Sequence, residues 1–503
     1  MSQPASGVSR SEVARGAGLA GLSRASSLIE AVAQPLYIWL FGLATYGLYV
    51  VLWAAISLAS NIADLSMTSA LQRVVPGEEE EDRALSIVKG AFLVSLLPTT
   101  LIALAVTLSA DWLAALLSAA PEDRASLPGA IRLFVWALPL WTFVEVATSA
   151  VRARRAFGPE IRLRIFWEQI ARILFALVFF TIGVGSIGMM AAHLCSLTLT
   201  AALCVPLLGR FYDLKRLVRA PIRIRPLGGL VWTGIALLPG GVSRRLLIDA
   251  PPLLLNLMLP GTRGAVAAGL FEIARKIATV PLSVRQAFQY VMAPLSSAQA
   301  KADRAQIAPL YRFASRVSTA LVVPLCGLLI FAGVDILSLY RPEARAALPL
   351  LYILVAARGL EAIVGPATPI VEMTGHRLLP LVNSLIAVLI WALLAWLLVP
   401  KMEAAGMAIA VAGATVASTY AATLELQLAD RLSPFDRKLF LGLFVALIGV
   451  AAMGGAAQVL GGPIRFAAVS ILWAIASWLA LRFGLVRSDR EALGGLARRL
   501  RLI

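Results

Sequence analysis

Long apolar runs, broken by short polar stretches, organise this chain from end to end. A helical membrane span needs about 20 mostly apolar residues. A window of that length predicts about fourteen spans, at 18–43, 46–72, 87–110, 129–150, 165–183, 187–209, 228–257, 265–292, 310–337, 346–371, 378–399, 404–427, 438–460 and 464–484. Spans one and seven each carry charge, which weakens their apolar signal. The runs lack the apolar–polar alternation of a transmembrane β-strand. The pattern therefore predicts an all-α polytopic membrane protein.

Composition supports that class. Of 503 residues, 59% are hydrophobic and 15% charged, against roughly 45–50% and 25% in soluble domains. No water-soluble fold hides that much apolar surface, which argues against aqueous enzymes and secreted disulfide scaffolds. The formal charge of +17 would suggest nucleic acid in a soluble protein. No helix-turn-helix, RRM or finger pattern accompanies it, so no nucleic-acid partner is expected. Cys195, Cys204 and Cys326 lie in apolar stretches without C-x-x-C spacing and read as core residues.

The basic residues report topology, because cytoplasmic loops concentrate Lys and Arg. Arg152, Arg154, Arg155, Arg162 and Arg164 follow span four. Arg210, Lys215, Arg216, Arg219, Arg223 and Arg225 follow span six. Lys301, Arg304, Arg312 and Arg316 follow span eight. The opposite junctions hold few, such as Arg124, Arg263 and Lys401. An even number of spans with both termini cytoplasmic is expected. The polar start has no signal-peptide apolar core. The acidic run Glu78–Asp82 after span two reads as a solvated loop.

An internal echo divides the chain. Ser23-Arg24 with Leu28-Ile29-Glu30-Ala31 recurs as Ser243-Arg244 with Leu247-Ile248-Asp249-Ala250, and Asp82-Arg83-Ala84 recurs as Asp303-Arg304-Ala305. This predicts two parallel six-helix repeats around a central cavity, with two extra C-terminal helices. The divisions are a cytoplasmic segment 1–17, an N-lobe 18–226, a C-lobe 227–430, spans thirteen and fourteen in 431–485, and a basic cytoplasmic tail 486–503. In the tail, Arg487, Arg490, Arg498, Arg499 and Arg501 alternate with Leu493, Leu496, Leu500 and Leu502. That spacing suggests an amphipathic segment lying on the headgroups.

Catalytic and nucleotide motifs give little. Gly183-x-Gly185-x-x-Gly188 matches a dinucleotide fingerprint in letters, but it lies between two apolar spans rather than in a βαβ unit. A tight turn is the better reading. No P-loop, HExxH or G-x-S-x-G occurs, so neither ATP hydrolysis nor other enzyme activity is expected, and no metal or cofactor. His193 sits in span six without a carboxylate at helical spacing. A packed histidine is the plainer reading, with a proton relay as the alternative. His376 is far from it in sequence.

The informative residues are charges inside spans, each costing at least about 2.5–3.5 kcal/mol at the bilayer centre unless paired or hydrated. Glu168 and Arg172, and Arg245 and Asp249, are spaced i,i+4 to pair; Arg172 and Arg285 could instead snorkel to the interface. Arg24, Arg244, Arg245, Arg275, Lys276 and Arg358 are the candidate substrate-binding cations. Glu30, Asp64, Glu145, Asp249, Glu272 and Glu361 are the candidate charge-balancing or coupling groups. Buried arginines suit an anion such as phosphate, since a guanidinium can bond two oxygens at once.

At this point the chain resembles the multidrug/oligosaccharidyl-lipid/polysaccharide flippase superfamily, nearest to the Wzx-like polysaccharide flippases. The resemblance rests on Gly18–Arg24 opening span one and on Phe41-Gly42-x-x-x-Tyr46-Gly47-Leu48-Tyr49. It also rests on Arg152-x-Arg154-Arg155-x-Phe157 after span four and Ala293-Pro294-Leu295 ending span eight, over about residues 15–485. It implies a flippase for an undecaprenyl-pyrophosphate-linked oligosaccharide, acting by alternating access in the bacterial inner membrane. Expected partners are the lipid-linked glycan, membrane lipids, and a polymerase and glycosyltransferases of the same process. Coupling would be to an H+ or Na+ gradient or the membrane potential. The alternatives are a multidrug or small-solute antiporter of the same fold, a lipid II-type flippase, and, from another class, a membrane glycosyltransferase or polymerase.

Overall fold

The computed structural model describes residues 32–283, 307–373 and 379–502, apart from positions 79, 155, 157, 159, 160 and 494. Expectations placed on Arg24, Glu30, Arg285 and His376 therefore lie outside the described residues. Helices dominate, and no strand occurs among the described residues.

In chain order the principal helices begin with α1 Val32–Phe41, α2 Leu43–Ala63, α3 Met67–Val74, α4 Glu81–Leu108 and α5 Leu127–Ala153. A π-helical turn at Ile161–Trp167 leads into α6 Glu168–Thr181. Next come α7 Ile187–Gly209, α8 Ile224–Met258, α9 Thr262–Ile277, α10 Ile307–Phe331 and α11 Leu348–Val364. The chain continues through α12 Leu379–Ala429, α13 Arg437–Val459 and α14 Gly462–Gly484, and closes with α15 Arg487–Ala492 and α16 Gly495–Arg499. Helix α12 is two spans joined at Glu403, whose φ of 50° breaks the helical run. Ten described helices are long and apolar enough to cross a membrane. Each of the fourteen expected spans falls, in whole or in part, on a described helix.

The faces of these helices identify their solvent. On α4, Leu93, Leu97, Leu101, Leu104 and Leu108 form one exposed stripe, while Leu85, Val88, Ala91, Ser95 and Thr99 are buried on the other side. Leu385, Leu389, Leu393 and Trp396 make a similar stripe on α12. In water such stripes would be aggregation sites. Against lipid tails they cost nothing, and the intrahelical bonds satisfy the backbone.

The described chain forms two compact units. The first takes the described residues up to Glu272, together with Trp396–Met407. Its core joins Met67, Leu71, Leu85, Val88, Val146, Ala150, Leu208 and Leu230 from α3, α4, α5, α7 and α8. Helix α8, which opens the second sequence repeat, packs here against α2, α3 and α4. Close crossings need small residues: a side chain at Gly47 on α2 would collide with the Ala265 carbonyl of α9. The Gly183–Gly188 motif is a turn between α6 and α7, with Gly183 at φ 77° and Gly185 at φ 70°, as the tight-turn reading requires.

The acidic run is more than a solvated loop. Glu81 and Asp82 open α4, where carboxylates favour the helix N-terminus. Asp82 accepts from Arg216 at 2.6 Å and Glu80 from Arg223 at 3.3 Å. The run thus meets the basic junction after α7.

The second unit takes the described residues within 273–395 and 408–503. Helices α10, α13 and α14 form its centre, and the C-terminal residues fold onto them. Ala497 and Leu502 are buried with Val317, Ala320, Ala446, Ala480 and Leu485, and Leu493 packs beside them. Arg490 donates to the carbonyls of Arg482 (2.6 Å), Leu485 (3.2 Å) and Leu502 (3.1 Å). This corrects part of the expected headgroup-lying tail: Leu493, Ala497 and Leu502 cover protein, because α10, α13 and α14 leave an apolar end there to be buried, whereas Leu500 stays exposed.

Candidate functional site

A polar belt crosses the first unit on α2, α5 and α8. On α2, Ser57, Asn61 and Asp64 follow one another at i, i+4 and i+7 on one helical face. Ser57 Oγ donates to Asp249 Oδ2 at 2.7 Å, and Arg245 Nη1 lies 3.8 Å from the same oxygen. The serine bond is the closer contact, since the ion pair is long and Arg245 is half-exposed. Arg244, the next position on α8, is exposed.

Asp64 is buried where α2 ends. Leu65 and Ser66 take φ values of 49° and 56°, and the Ser66 N–H donates to Asp64 Oδ1 at 2.8 Å. Gly234 on α8 makes room for this break, because a Cβ there would strike the Leu65 carbonyl. Asp64 lies within electrostatic reach of Glu145 on α5 and Arg245 on α8.

Glu145 has a partner that sequence spacing did not indicate. Arg164, on the π-helical turn, donates to it at 2.8 Å and lies 4.4 Å over the Trp141 ring. Trp141 in turn meets Trp53 edge-on at 5.1 Å. Arg164 had read as one of several loop cations. The belt thus gathers three carboxyl groups (Asp64, Glu145, Asp249) and two guanidiniums (Arg164, Arg245), with Arg244 next in sequence on α8.

Glu168 and Arg172 do pair, at 2.8 Å, and both are buried. Arg172 does not snorkel to the interface; α7 covers it. His193 is fully buried among Trp53, Phe134 and Tyr49, with ring centroids 4.4, 5.6 and 5.7 Å away. Its Nδ1 lies 3.0 Å from Tyr49 Oη, an environment that fits the packed reading.

In the second unit Arg358 donates to both oxygens of Glu361, at 2.8 and 3.0 Å, one helical turn away on α11. Glu361 is buried at 1% exposure, so Arg358 supplies the charge that keeps it there. Glu272 is buried, and Arg275 and Lys276 are half-buried in the last turns of α9. No group of three or more metal-ligating side chains occurs among the described residues.

The family model described as "Polysaccharide biosynthesis protein" matches residues 40–340, more than half of the chain. The chain belongs to this polysaccharide biosynthesis family. No curated protein matches it in sequence. Among solved structures, the fold of this family member is similar to the lipid II flippase MurJ in an inward closed conformation. The TM-score is 0.74 at 12% identity, over 92% of this chain and 98% of that one. It is also similar to an inward-facing multidrug resistance MATE transporter of the MOP superfamily (TM-score 0.61, 14% identity, 88% and 95% covered). A third is the Vibrio cholerae MATE transporter VcmN in the bent form (TM-score 0.56, 14% identity, 84% and 98% covered). The flippase-superfamily resemblance drawn from sequence is borne out by the family match and these folds together.

Proposed function

We propose that the chain flips a polyprenyl-pyrophosphate-linked oligosaccharide across the bacterial inner membrane by alternating access, for cell-surface polysaccharide synthesis. The observation that carries this reading is the placement of Arg244 and Arg245 in the middle of membrane helix α8, with Ser57 and Asp249 beside them. An uncompensated pyrophosphate cannot cross about 30 Å of hydrocarbon, so a flippase must offer cationic groups along the path. The carboxylates Asp64, Glu145 and Asp249 offset part of that charge and let the anion leave again. Arg24, Arg275, Lys276 and Arg358 belong to the same proposal as further substrate contacts, and Glu30, Glu272 and Glu361 as charge-balancing groups. So do lobes drawn at 18–226 and 227–430, cytoplasmic termini, coupling to an H+ or Na+ gradient or the membrane potential, and work alongside a polymerase and glycosyltransferases. The chain acts in this reading as a transporter and performs no covalent chemistry.

Arg244→Ala and Arg245→Ala test it. Each should insert normally yet accumulate lipid-linked oligosaccharide on the inner leaflet, and Arg→Lys should recover only part of the flipping. Wild-type flipping in both alanine variants would overturn the cationic path and favour a small-solute antiporter.

A further inference from the structure

A cleft of about 530 Å³ opens in the second unit where α13 begins, α14 ends and α15 crosses between them. Four of its lining side chains are cationic: Lys438, Arg482, Arg487 and Arg490. Three of them are held by backbone carbonyls. Lys438 Nζ reaches the Phe483 carbonyl at 3.4 Å, Arg482 Nη1 the Arg501 carbonyl at 3.0 Å, and Arg490 the three carbonyls given above. Carbonyl bonds fix a guanidinium in place without cancelling its charge. Of these four, among the described residues, only Arg487 meets a carboxylate, Glu491 at 3.1 Å, and both side chains are exposed. Asp436 and Asp489, the other nearby acids, are occupied by Arg316.

The cleft also has a defined depth. Lys438 lies in the first turn of α13 and Arg482 in the last turn of α14, so both stand where apolar spans leave the hydrocarbon. Trp478, Phe483, Phe440 and Phe435 are exposed around it. The Arg482 guanidinium lies 5.6 Å over the Trp478 ring, and Phe435 stacks on Phe440 at 6.0 Å. Trp and Tyr side chains collect at headgroup level, and Trp478 stands there beside Arg482. Exposed Leu441, Phe444, Ile448 and Ile475 continue below them along α13 and α14.

We infer that this cleft binds the phosphate of an anionic phospholipid headgroup, whose acyl chains run down the exposed faces of α13 and α14. Fixed uncancelled cations, an aromatic rim and an apolar wall beneath match the three parts of such a lipid. A free phosphate would use the cations alone.

The test uses the full-length chain, delipidated in detergent, with phosphatidylglycerol, phosphatidylcholine or inorganic phosphate added. Native mass spectrometry reads bound lipid and a thermal-shift assay reads protection. Phosphatidylglycerol should be retained and should raise Tm, whereas phosphatidylcholine should do neither. Lys438→Gln with Arg482→Gln should weaken retention roughly thirtyfold, the product of about fivefold for each charge near the surface. Should that pair fail to fold, Arg487→Gln carries the test, because its exposed side chain holds only Glu491; a loss of about fivefold is expected. Retention unchanged in the folded variants would overturn the site. Protection by inorganic phosphate equal to that by phosphatidylglycerol would overturn its assignment to a lipid.

Discussion

Arg316 on α10 donates from Nη1 to the Asp489 carboxylate at 2.6 Å, joining a membrane helix to the C-terminal segment. The same guanidinium bonds Asp436, the residue that caps α13 and accepts the Leu439 N–H at 2.8 Å. One half-buried arginine therefore ties the start of one helix to the docking of the tail. Arg316→Met would leave two carboxylates facing each other with little solvent. A loss of roughly 3 kcal/mol is expected, read as a lower Tm in detergent together with faster proteolysis after residue 486. An unchanged protease pattern would mean that the apolar contacts of Leu493, Ala497 and Leu502 hold the tail without the ion pairs.

Asp436 also sets a pH dependence. Burial pushes its carboxyl up, but the Arg316 bond, the Leu439 N–H and the charges of Arg316 and Arg312 outweigh this and hold it below the ordinary carboxylate value. A carboxyl depressed in the folded state contributes its full stability above its unfolded value, about 4, and loses it as pH falls through the folded value. Tm should thus be insensitive to this group between pH 5 and 8, on the ordinary carboxylate scale of about 4, and should decline in acid below it. Asp436→Asn should flatten that acid limb. An acid limb of the same size in the variant would assign it to other carboxylates.

Glu145 and Arg164 should behave as a coupled pair. Each is about 20% exposed, so the penalty for stranding one is smaller than at a dry site. Arg164→Met should cost roughly 1–2 kcal/mol, and adding Glu145→Gln should return most of it. A double-mutant cycle on Tm measures the coupling; additive losses would show that the contact contributes nothing beyond its parts.

Tyr49→Phe removes the hydroxyl at His193 Nδ1 inside an aromatic box. The buried imidazole then loses a partner, at a cost of about 1–3 kcal/mol, with flipping retained in the protein that folds. Collapse of flipping at an unchanged Tm would instead place the Tyr49–His193 pair in a proton relay.

Some of this was readable in the residue order, and the reasons are local. Apolar runs of span length forced helices, since backbone polar groups in lipid must bond within their own segment. Pairs at helical spacing, Glu168 with Arg172 and Arg245 with Asp249, followed from 3.6 residues per turn. The glycine motif at 183–188 could be read as a turn because its neighbours were both spans. Contacts between distant segments were not readable in this way. Glu145 meets Arg164 only through a π-helical turn that rotates the arginine back over Trp141, and Asp249 meets Ser57 only because α8 crosses α2. The tail shows the limit most plainly: its spacing of Leu and Arg predicts an amphipathic segment but does not say which apolar surface it covers. Lipid and protein are alike to a leucine. What decided between them was the apolar end of α10, α13 and α14 and the carboxylate of Asp489 lying within reach of Arg316, and both exist only once those helices have packed.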